Sequence, residues 1–413
     1  MTTCGLTAGP RLHPKKQKYD QSPYNHDMTD QENAANADLL ERARGLGAPL
    51  DRAAIDQENT ASLALLERAR DVATRVLAPR ANAVDESDRL PHENLRALAE
   101  EGLLGLNVPA AHGGIGASIH LLRRFHGVLA EACGTTAFVA IQHASACGLV
   151  AKCASESVRT RLLPQMARGE LLGSPAFSHL RRPGPPAVHA TEEGDHIVFD
   201  GVAPWITGWG TIGLVALGGT LEDGRYVYAA AVLDETTGIS AWPQMRLATM
   251  TASSTVSLTL STARVPRERV LLVQTPEEAR AADAAATLNQ APCSLGVAAA
   301  SARLIEQRVR EEPALAPFWR ALRDEIDQCW RGVEGWTARA DDPSFAENAL
   351  TLRARCIDLG VRAAFAAIVA TGGSALKRDR DAQRLYREAT LYAVAPQTSA
   401  LRHATLARLL SGR

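Results

Sequence analysis

The sequence predicts a mainly helical protein with a central β domain, because the residue pattern changes twice along its 413 residues. From about 60 to 170 apolar residues recur at helical spacing, as at Leu121 and Phe125. From about 171 to 272 short β-rich runs alternate with turn residues. Further on, long stretches rich in Ala, Leu and Arg again predict helices. We therefore expect domains at 60–170, 171–272 and 273–413.

An N-terminal extension, residues 1–59, contains a duplicated segment. The hexapeptide at 39–44 recurs unchanged at 65–70. We interpret this as a tandem duplication of the first helix, with the second copy opening the helical domain. Residues 1–28 are rich in Gly, Pro, Lys and Asn, a composition typical of disorder.

Composition excludes several classes of function. A formal charge of −1 indicates neither nucleic acid nor an anionic membrane surface as a partner. The longest apolar runs in the sequence stop short of the roughly 20 residues that span a bilayer. Because no apolar segment follows the polar N-terminus, we expect no membrane association and a cytoplasmic location.

The seven cysteines are scattered and form no C-x-x-C pair. This spacing favours neither a disulfide framework nor a zinc site. We expect most of them to be buried thiols that act as small apolar residues.

The stretch 196–210 is the most informative in the chain. Alternating apolar residues lead into Asp200 and Gly201, a pair that favours a tight hairpin turn, after which the strand restarts. On that second strand Trp205 and Thr207 are two residues apart, so we expect them to face the same side. An indole beside a hydroxyl can hold an aromatic cofactor.

Four further segments follow a fixed order around this stretch. They lie at 101–116, 162–170, 264–271 and 372–389. Together the five segments resemble the acyl-CoA dehydrogenase family, a flavoprotein superfamily that also includes flavin-dependent monooxygenases. The resemblance covers residue 60 to the C-terminus. It implies an N-terminal helical domain, a β-barrel-like sheet domain, a C-terminal four-helix bundle, and assembly as a homodimer or homotetramer.

The resemblance also implies FAD, held between the β domain and the C-terminal helices. Thr207 would then donate a hydrogen bond to flavin N5, and Trp205 would cover one ring face. Phe177 and Ser178 would border the pyrimidine edge of the flavin.

At the far end of the cofactor, the resemblance implies contacts from Arg308, Gly372 and Gly373. Here the chain departs from the family, because Arg308 lacks the family's following Phe-Gly and Val369 replaces its Gln. We therefore expect FAD to bind weakly, or a shifted contact from Arg308.

The family's catalytic glutamate is missing from both places where members carry it. The chain has Pro396 at one position and Ala286 at the other. Neither residue can act as a base. Weak candidates for a catalytic acid or base are Asp283 and Glu388, each near one of these positions, together with His143 and His403. A structural or surface role is the ordinary alternative for each of the four.

Two substrate motifs differ from the family as well. An acidic loop is replaced at 179–186 by a basic, proline-rich one, in which Arg181 and Arg182 could meet a phosphate of coenzyme A or of a carrier-protein arm. The usual thioester-binding element is replaced at 250–255. A solvated pair of loop charges is the plainer alternative.

Three hypotheses follow. The first is an FAD-dependent oxidoreductase that dehydrogenates an unusual acyl thioester, bound to coenzyme A or a carrier protein, with a relocated base. The second is a flavin-dependent monooxygenase that uses externally reduced flavin, since 371–376 resembles such relatives. The third is a catalytically silent homologue. An active enzyme would need an electron-transfer flavoprotein or a flavin reductase as its partner.

Overall fold

The computed structural model describes residues 60–410, which form a 60% helical protein around a central mixed sheet. The predicted fold class is confirmed. The second copy of the duplicated hexapeptide lies in the first helix, whereas the first copy lies outside the described residues.

Residues 60–167 are mainly helical. The helices are α1 (Thr60–Val72), which runs through a π-helical turn (Ala73–Leu77) into α2 (Ala78–Glu86), then α3 (His92–Glu100), α4 (Ile119–Ala132), α5 (Gly134–Val150) and α6 (Glu156–Ala167). Ser118 and Ser155 cap α4 and α6, because each hydroxyl accepts a backbone N–H of the first turn. A glycine-rich turn precedes α4. A Cβ on Gly114 would lie 2.2 Å from the Val108 carbonyl oxygen, so only glycine fits.

Eight strands form one mixed sheet. They are β1 (Gly173–Ala176), β2 (Val188–Glu193), β3 (His196–Ile206), β4 (Leu214–Thr220), β5 (Tyr226–Val232), β6 (Ile239–Ala241), β7 (Val256–Pro266) and β8 (Val270–Gln274). The hydrogen-bonded order is β6-β7-β3-β2-β4-β5-β8, and β1 pairs in parallel with β4.

The predicted hairpin at Asp200 and Gly201 is wrong. Both residues lie inside the continuous strand β3, which pairs antiparallel with β2 and β7. The register with β7 shifts between Phe199 and Gly201, and Gly201 has φ of +133°. Between these two pairs β7 has two residues and β3 has one, so the register shift is a β-bulge on β7 rather than a turn in β3. The real hairpin lies earlier, where Glu193 pairs with His196 across a two-residue loop.

Helices return after the sheet. They are α7 (Pro276–Ala285), α8 (Ala291–Glu311), α9 (Ala316–Thr337), α10 (Phe345–Thr371), α11 (Asp381–Val394) and α12 (Ser399–Leu410). Helix α8 packs against α10, α9, α11 and the N-terminal helix α4. Pro313 and Gly372 lie between helices, whereas Pro317 lies in the first turn of α9, where its missing N–H costs nothing.

Helix α10 corrects one expectation about apolar length. The segment Phe345–Leu376 is long and apolar enough to cross a bilayer by length and composition alone. Uninterrupted apolar runs do not reveal this segment in the sequence, because charged residues interrupt it. One of them, Arg353, is buried against the neighbouring helices. In this structure α10 packs as a bundle helix against α8, α11 and α12.

The prediction that most cysteines are buried thiols is confirmed for the described residues. The buried free cysteines are Cys133, Cys147, Cys153, Cys293, Cys329 and Cys356. Cys4 lies outside the described residues.

Candidate active site

A cavity of about 220 Å³ lies where α4 and α5 face the C-terminal helices. Its polar lining residues are Asn107, Arg123, His126, Ser145, Arg181, Asp283, Thr287, Asn289, Gln290, Arg353 and Thr398. Its apolar lining residues are Ile119, Leu122, Ile141, Ala144, Ala286, Pro396 and Leu401. The cavity is therefore shared by the N-terminal helices, the loop after β1 and the C-terminal helices.

Both positions expected to carry the family's glutamate open onto this cavity. Pro396 lies between α11 and α12, and Ala286 follows α7 directly. They are more than a hundred residues apart in sequence, but in the fold both line the same cavity. Neither side chain can take up a proton.

Asp283 supplies a carboxylate on this wall. It lies on α7, and its two oxygens accept hydrogen bonds of 2.7 Å each from Nε and Nη2 of Arg181. The Arg181 guanidinium also lies 5.5 Å from the ring centre of Phe177. Burial opposes the charge on Arg181, but the bonded Asp283 raises the pKa of Arg181 above its usual value. The predicted substrate residue and the predicted base thus form one bidentate ion pair.

Arg123 is a buried cation that sequence reasoning missed. Its Nη2 donates to Asn289 Oδ1 at 2.8 Å, its Nε donates to the same oxygen at 3.2 Å, and Nη1 donates to the Thr337 hydroxyl. Burial lowers the pKa of Arg123 to about 10. The available signal was its place in α4 between the core residues Leu122 and Phe125.

Arg353 is a second buried cation on the cavity wall, and only 1% of it is exposed. It donates to the Gln290 carbonyl at 2.6 Å, to the Tyr392 carbonyl at 3.0 Å and to the Ala395 carbonyl at 3.4 Å. Burial lowers the pKa of this guanidinium. Arg353 therefore anchors the end of α11 and the chain leading to Pro396.

His126 and Gln290 bring unpaired polar atoms to the lining. Among the residues that the structure describes, neither ring nitrogen of His126 has a hydrogen-bond partner, and the same holds for Oε1 of Gln290. Burial, with a smaller contribution from Arg123, lowers the pKa of His126 to about 3. The ring is neutral at neutral pH, so it offers one N–H and one lone pair.

His143, a predicted acid or base, lies in the core. Its Nδ1 accepts the Gly173 N–H at 3.2 Å, so the proton lies on Nε2, which donates to the Met166 carbonyl at 3.1 Å. Burial lowers the pKa of His143 to about 4. It is not among the residues that line the cavity, and its bonds fix α5 to the start of the sheet.

The other two candidates also lie away from the cavity lining. Glu388 is 1% exposed, pairs with Arg384 at 3.0 Å, and accepts the Gly134 N–H at 3.1 Å at the start of α5. Burial raises the pKa of Glu388. His403 is partly exposed on α12. Of the four candidate acids and bases, the structure places Asp283 in the cavity.

Residues predicted to hold the flavin ring meet at the end of β3. The Ser178 hydroxyl donates to the Pro204 carbonyl at 3.2 Å, next to Trp205. The Thr207 hydroxyl lies 3.2 Å from that of Thr255, so the replaced segment 250–255 lies beside it. Phe177 packs edge-on against Tyr228.

Strand alternation does not hold between Trp205 and Thr207. The register with β7 shifts between Ala203 and Ile206, and Trp205 adopts a left-handed φ of +67°. Its indole is 49% exposed, whereas Thr207 is 2% exposed. A non-glycine residue in this conformation stores strain, which is common at binding sites.

The residues predicted for the far end of the cofactor also come together. Gly372 ends α10 with φ of +74°, and Gly373 follows it in an exposed turn. Arg308 donates to the Thr371 carbonyl at 3.3 Å and pairs with Glu311. Arg182, the second predicted substrate residue, is exposed on its loop.

Comparison with known proteins agrees with this architecture. Residues 59–170 match the family model of the acyl-CoA dehydrogenase N-terminal domain. A probable acyl-CoA dehydrogenase of Bacillus subtilis is 25% identical over 82% of this chain and 95% of its own length. The short-chain specific acyl-CoA dehydrogenase of Clostridium acetobutylicum is 26% identical, over 49% of this chain and 55% of its own.

Solved structures share the fold at lower identity. The butyryl-CoA dehydrogenase of Megasphaera elsdenii superposes with a TM-score of 0.74 at 17% identity, over 85% of this chain and 98% of its own. A dibenzothiophene monooxygenase from Paenibacillus gives 0.71 at 17% identity, over the same shares of the two chains. In sequence and in fold the chain is therefore similar to acyl-CoA dehydrogenases, and residues 59–170 match the model of their N-terminal domain.

Proposed function

We propose that this protein is an FAD-dependent oxidoreductase that dehydrogenates an acyl thioester, with Asp283 as its base. Homology to acyl-CoA dehydrogenases supports an oxidoreductase. The observation that carries the proposal is the position of Asp283. Among the described residues that line the cavity it bears the one carboxylate, and it shares the wall with Ala286 and Pro396.

Asp283 keeps the capacity to act as a base within its ion pair. Each carboxylate oxygen accepts one N–H from Arg181 and retains a further lone pair. In the proposed step the α-carbon–hydrogen bond of the thioester breaks and its proton passes to Asp283. The two hydrogen bonds from Arg181 fix the orientation of the carboxylate.

The residues at the end of β3 fit a flavin ring. Trp205 presents a half-exposed indole on a strained backbone, and the hydroxyls of Ser178 and Thr207 lie on the same corner of the sheet. At the far end, a Cβ on Gly372 or Gly373 would meet open space, so a ligand can approach the backbone there. FAD supplies the acceptor for the hydride that leaves the β-carbon.

The first test replaces the proposed base. The purified protein is reconstituted with FAD and titrated without oxygen with short, branched and long acyl-CoA thioesters. We expect the wild type to lose its oxidised flavin absorption, and Asp283→Asn to slow this bleaching by about 10²–10⁴-fold, the usual contribution of a general base.

The matched control is Glu277→Gln, an exposed carboxylate on the same helix. It should bleach like the wild type. Wild-type rates in Asp283→Asn would exclude Asp283 as the base. Failure of every thioester to bleach bound FAD would overturn dehydrogenation within this panel and favour the second candidate below.

A flavin-dependent monooxygenase is the second candidate. The observation that favours it is the bidentate ion pair, because both carboxylate oxygens of Asp283 already accept hydrogen bonds from Arg181. The exposed turn Gly372–Leu376, which resembles monooxygenase relatives in sequence, supports it too. This candidate predicts that thioesters leave the oxidised spectrum unchanged and that reduced flavin with oxygen is consumed. Failure to bind FAD in any form would instead indicate a silent homologue.

The acyl carrier and the electron partner belong to the same proposal. The exposed Arg182 and the basic loop around it are suited to a phosphate of coenzyme A or of a carrier-protein arm. Under dehydrogenation, an electron-transfer flavoprotein would reoxidise the flavin. Under oxygenation, a flavin reductase would supply it.

A further inference from the structure

The cavity holds more positive charge than its own residues neutralise. Three guanidiniums line it, those of Arg123, Arg181 and Arg353, and among the described lining residues one carboxylate, Asp283, opposes them. Arg181 and Asp283 neutralise each other. Two buried positive charges therefore remain on the wall, and a buried charge without a counter-charge is costly.

Arg123 and Arg353 bond to neutral oxygens. Within residues 60–410, neither forms a salt bridge, and their recorded acceptors are amide, hydroxyl and carbonyl oxygens. These bonds fix the orientation of the two guanidiniums but leave their charges uncompensated. Of the two, Arg123 has more N–H groups left for a ligand. Its Nη1 and Nη2 each carry two hydrogens and each donate one hydrogen bond.

His126 adds a directed donor beside Arg123. The two residues are three apart on α4, and both line the cavity. The His126 side chain is 5% exposed, and within the described part of the chain neither ring nitrogen is hydrogen-bonded. Buried polar groups in native proteins are nearly always paired, so an unpaired ring on a cavity wall points to a ligand.

Gln290 also lines the cavity. Its Oε1 has no hydrogen-bond partner among the described residues, and rotating the amide by 180° would present the NH₂ group instead. With that rotation the wall offers donors from Arg123, His126 and Gln290. A carboxylate, which accepts up to four hydrogen bonds, matches such a set of donors.

We propose that the end of the cavity lined by Arg123, His126 and Gln290 binds a carboxylate at the far end of the substrate's acyl chain. The inference rests on the proposed function for the thioester half of that substrate, which would be the monothioester of a dicarboxylic acid. The cavity volume of about 220 Å³ is below the roughly 300–1,000 Å³ of sites for drug-sized ligands, so the chain is short.

Direct binding tests the inference without any turnover. Succinate and glutarate are titrated by calorimetry into the FAD-loaded wild type, with succinamide and glutaramide, their diamides, as the uncharged comparison. We expect either dicarboxylate to bind at least tenfold more tightly than its diamide. Arg123→Met should remove that advantage, and Arg123→Lys should restore part of it.

Arg124→Gln is the matched control, because Arg124 is the next residue of α4 and pairs with Glu334 away from the cavity lining. It should bind like the wild type. His126→Phe is a second variant that leaves the arginines in place, and it should weaken dicarboxylate binding. Equal binding of glutaramide and glutarate by the wild type would overturn the inference, as would wild-type affinity in Arg123→Met.

Flavin bleaching separates this inference from the proposed function. Bleaching by butyryl-CoA and by glutaryl-CoA at equal affinity would support dehydrogenation and contradict the carboxylate site. Arg123-dependent dicarboxylate binding without bleaching by any thioester would support the site and contradict dehydrogenation.

Discussion

At the scale of single residues, burial decides what each polar group can do. Asp283 and Glu388 are both carboxylates paired with an arginine. Asp283 is a quarter exposed and lines the cavity, whereas Glu388 is sealed between α11 and the start of α5. The same functional group therefore serves as a candidate base at one place and as a structural anchor at the other.

The buried His143 predicts a loss of stability in acid. Its pKa is lowered to about 4 in the folded protein, from about 6.5 when unfolded. Below pH 6.5 the unfolded chain binds a proton that the folded protein does not, so stability falls as pH falls from 6.5 to 4. Linkage gives a loss on the order of 3 kcal/mol over that window.

Unfolding in urea at several pH values measures this effect. His143→Gln should be less stable than the wild type at pH 7 and should show a shallower decline in acid. His189→Gln, at an exposed position on β2, should keep the wild-type slope. If the slope of His143→Gln matches that of the wild type, the other buried histidines account for the decline.

At the scale of elements, β3 shows how neighbouring strands override a local turn signal. The pair Asp200 and Gly201 favours a hairpin when read alone. With β2 on one side and β7 on the other, β3 continues, and β7 accommodates one extra residue as a bulge opposite Asp200. The same strand then ends in the strained Trp205, which presents its indole to solvent.

Gly201 cannot be replaced by a larger residue without strain. A Cβ there would lie 2.1 Å from the Ala187 carbonyl oxygen, and φ is +133°. We expect Gly201→Ala to lower the free energy of unfolding, measured in urea. Gly224→Ala is the matched control, because Gly224 also has positive φ but open space around it.

The control should lose about 1–2 kcal/mol from backbone strain alone. Gly201→Ala should lose a further amount of about 1–3 kcal/mol from crowding. Equal losses of unfolding free energy in the two variants would mean that the backbone around Gly201 adjusts to the added methyl group without a further loss of stability.

At the scale of the whole molecule, α10 buries one side in the bundle and exposes another. Ala364 is fully buried, whereas Phe365, the next residue, and Val369, one turn later, are 55% and 66% exposed. Exposed apolar side chains grouped on one helix face are typical of an interaction surface. We propose that this face is part of the homo-oligomer interface implied by the family resemblance.

Charges on this face should break the assembly. We expect the wild type to form a dimer or tetramer and the double variant Phe365→Asp with Val369→Asp to form a monomer, measured by light scattering after size exclusion. Phe318→Asp, at an exposed apolar position on α9, is the control and should assemble normally. A double variant that keeps the wild-type mass would place the interface elsewhere.

Much of the fold could be predicted from the sequence, and the reasons are local. Apolar periodicity determines helices such as α4, and capping serines determine where α4 and α6 begin. The β-rich runs and the helix break at Gly372 follow from residue type in the same way. Nearest-neighbour sterics and periodic burial set these features, so they need no knowledge of the fold.

Tertiary structure alone decided the candidate site. Asp283, Pro396 and Arg123 lie far apart in sequence, and the packing of the helices brings them into the lining of one cavity. Packing also buried His143 and Glu388, and it left the charges of Arg123 and Arg353 without a carboxylate partner in the described chain. Burial and charge pairing depend on contacts between distant segments, and residue types alone do not specify those contacts.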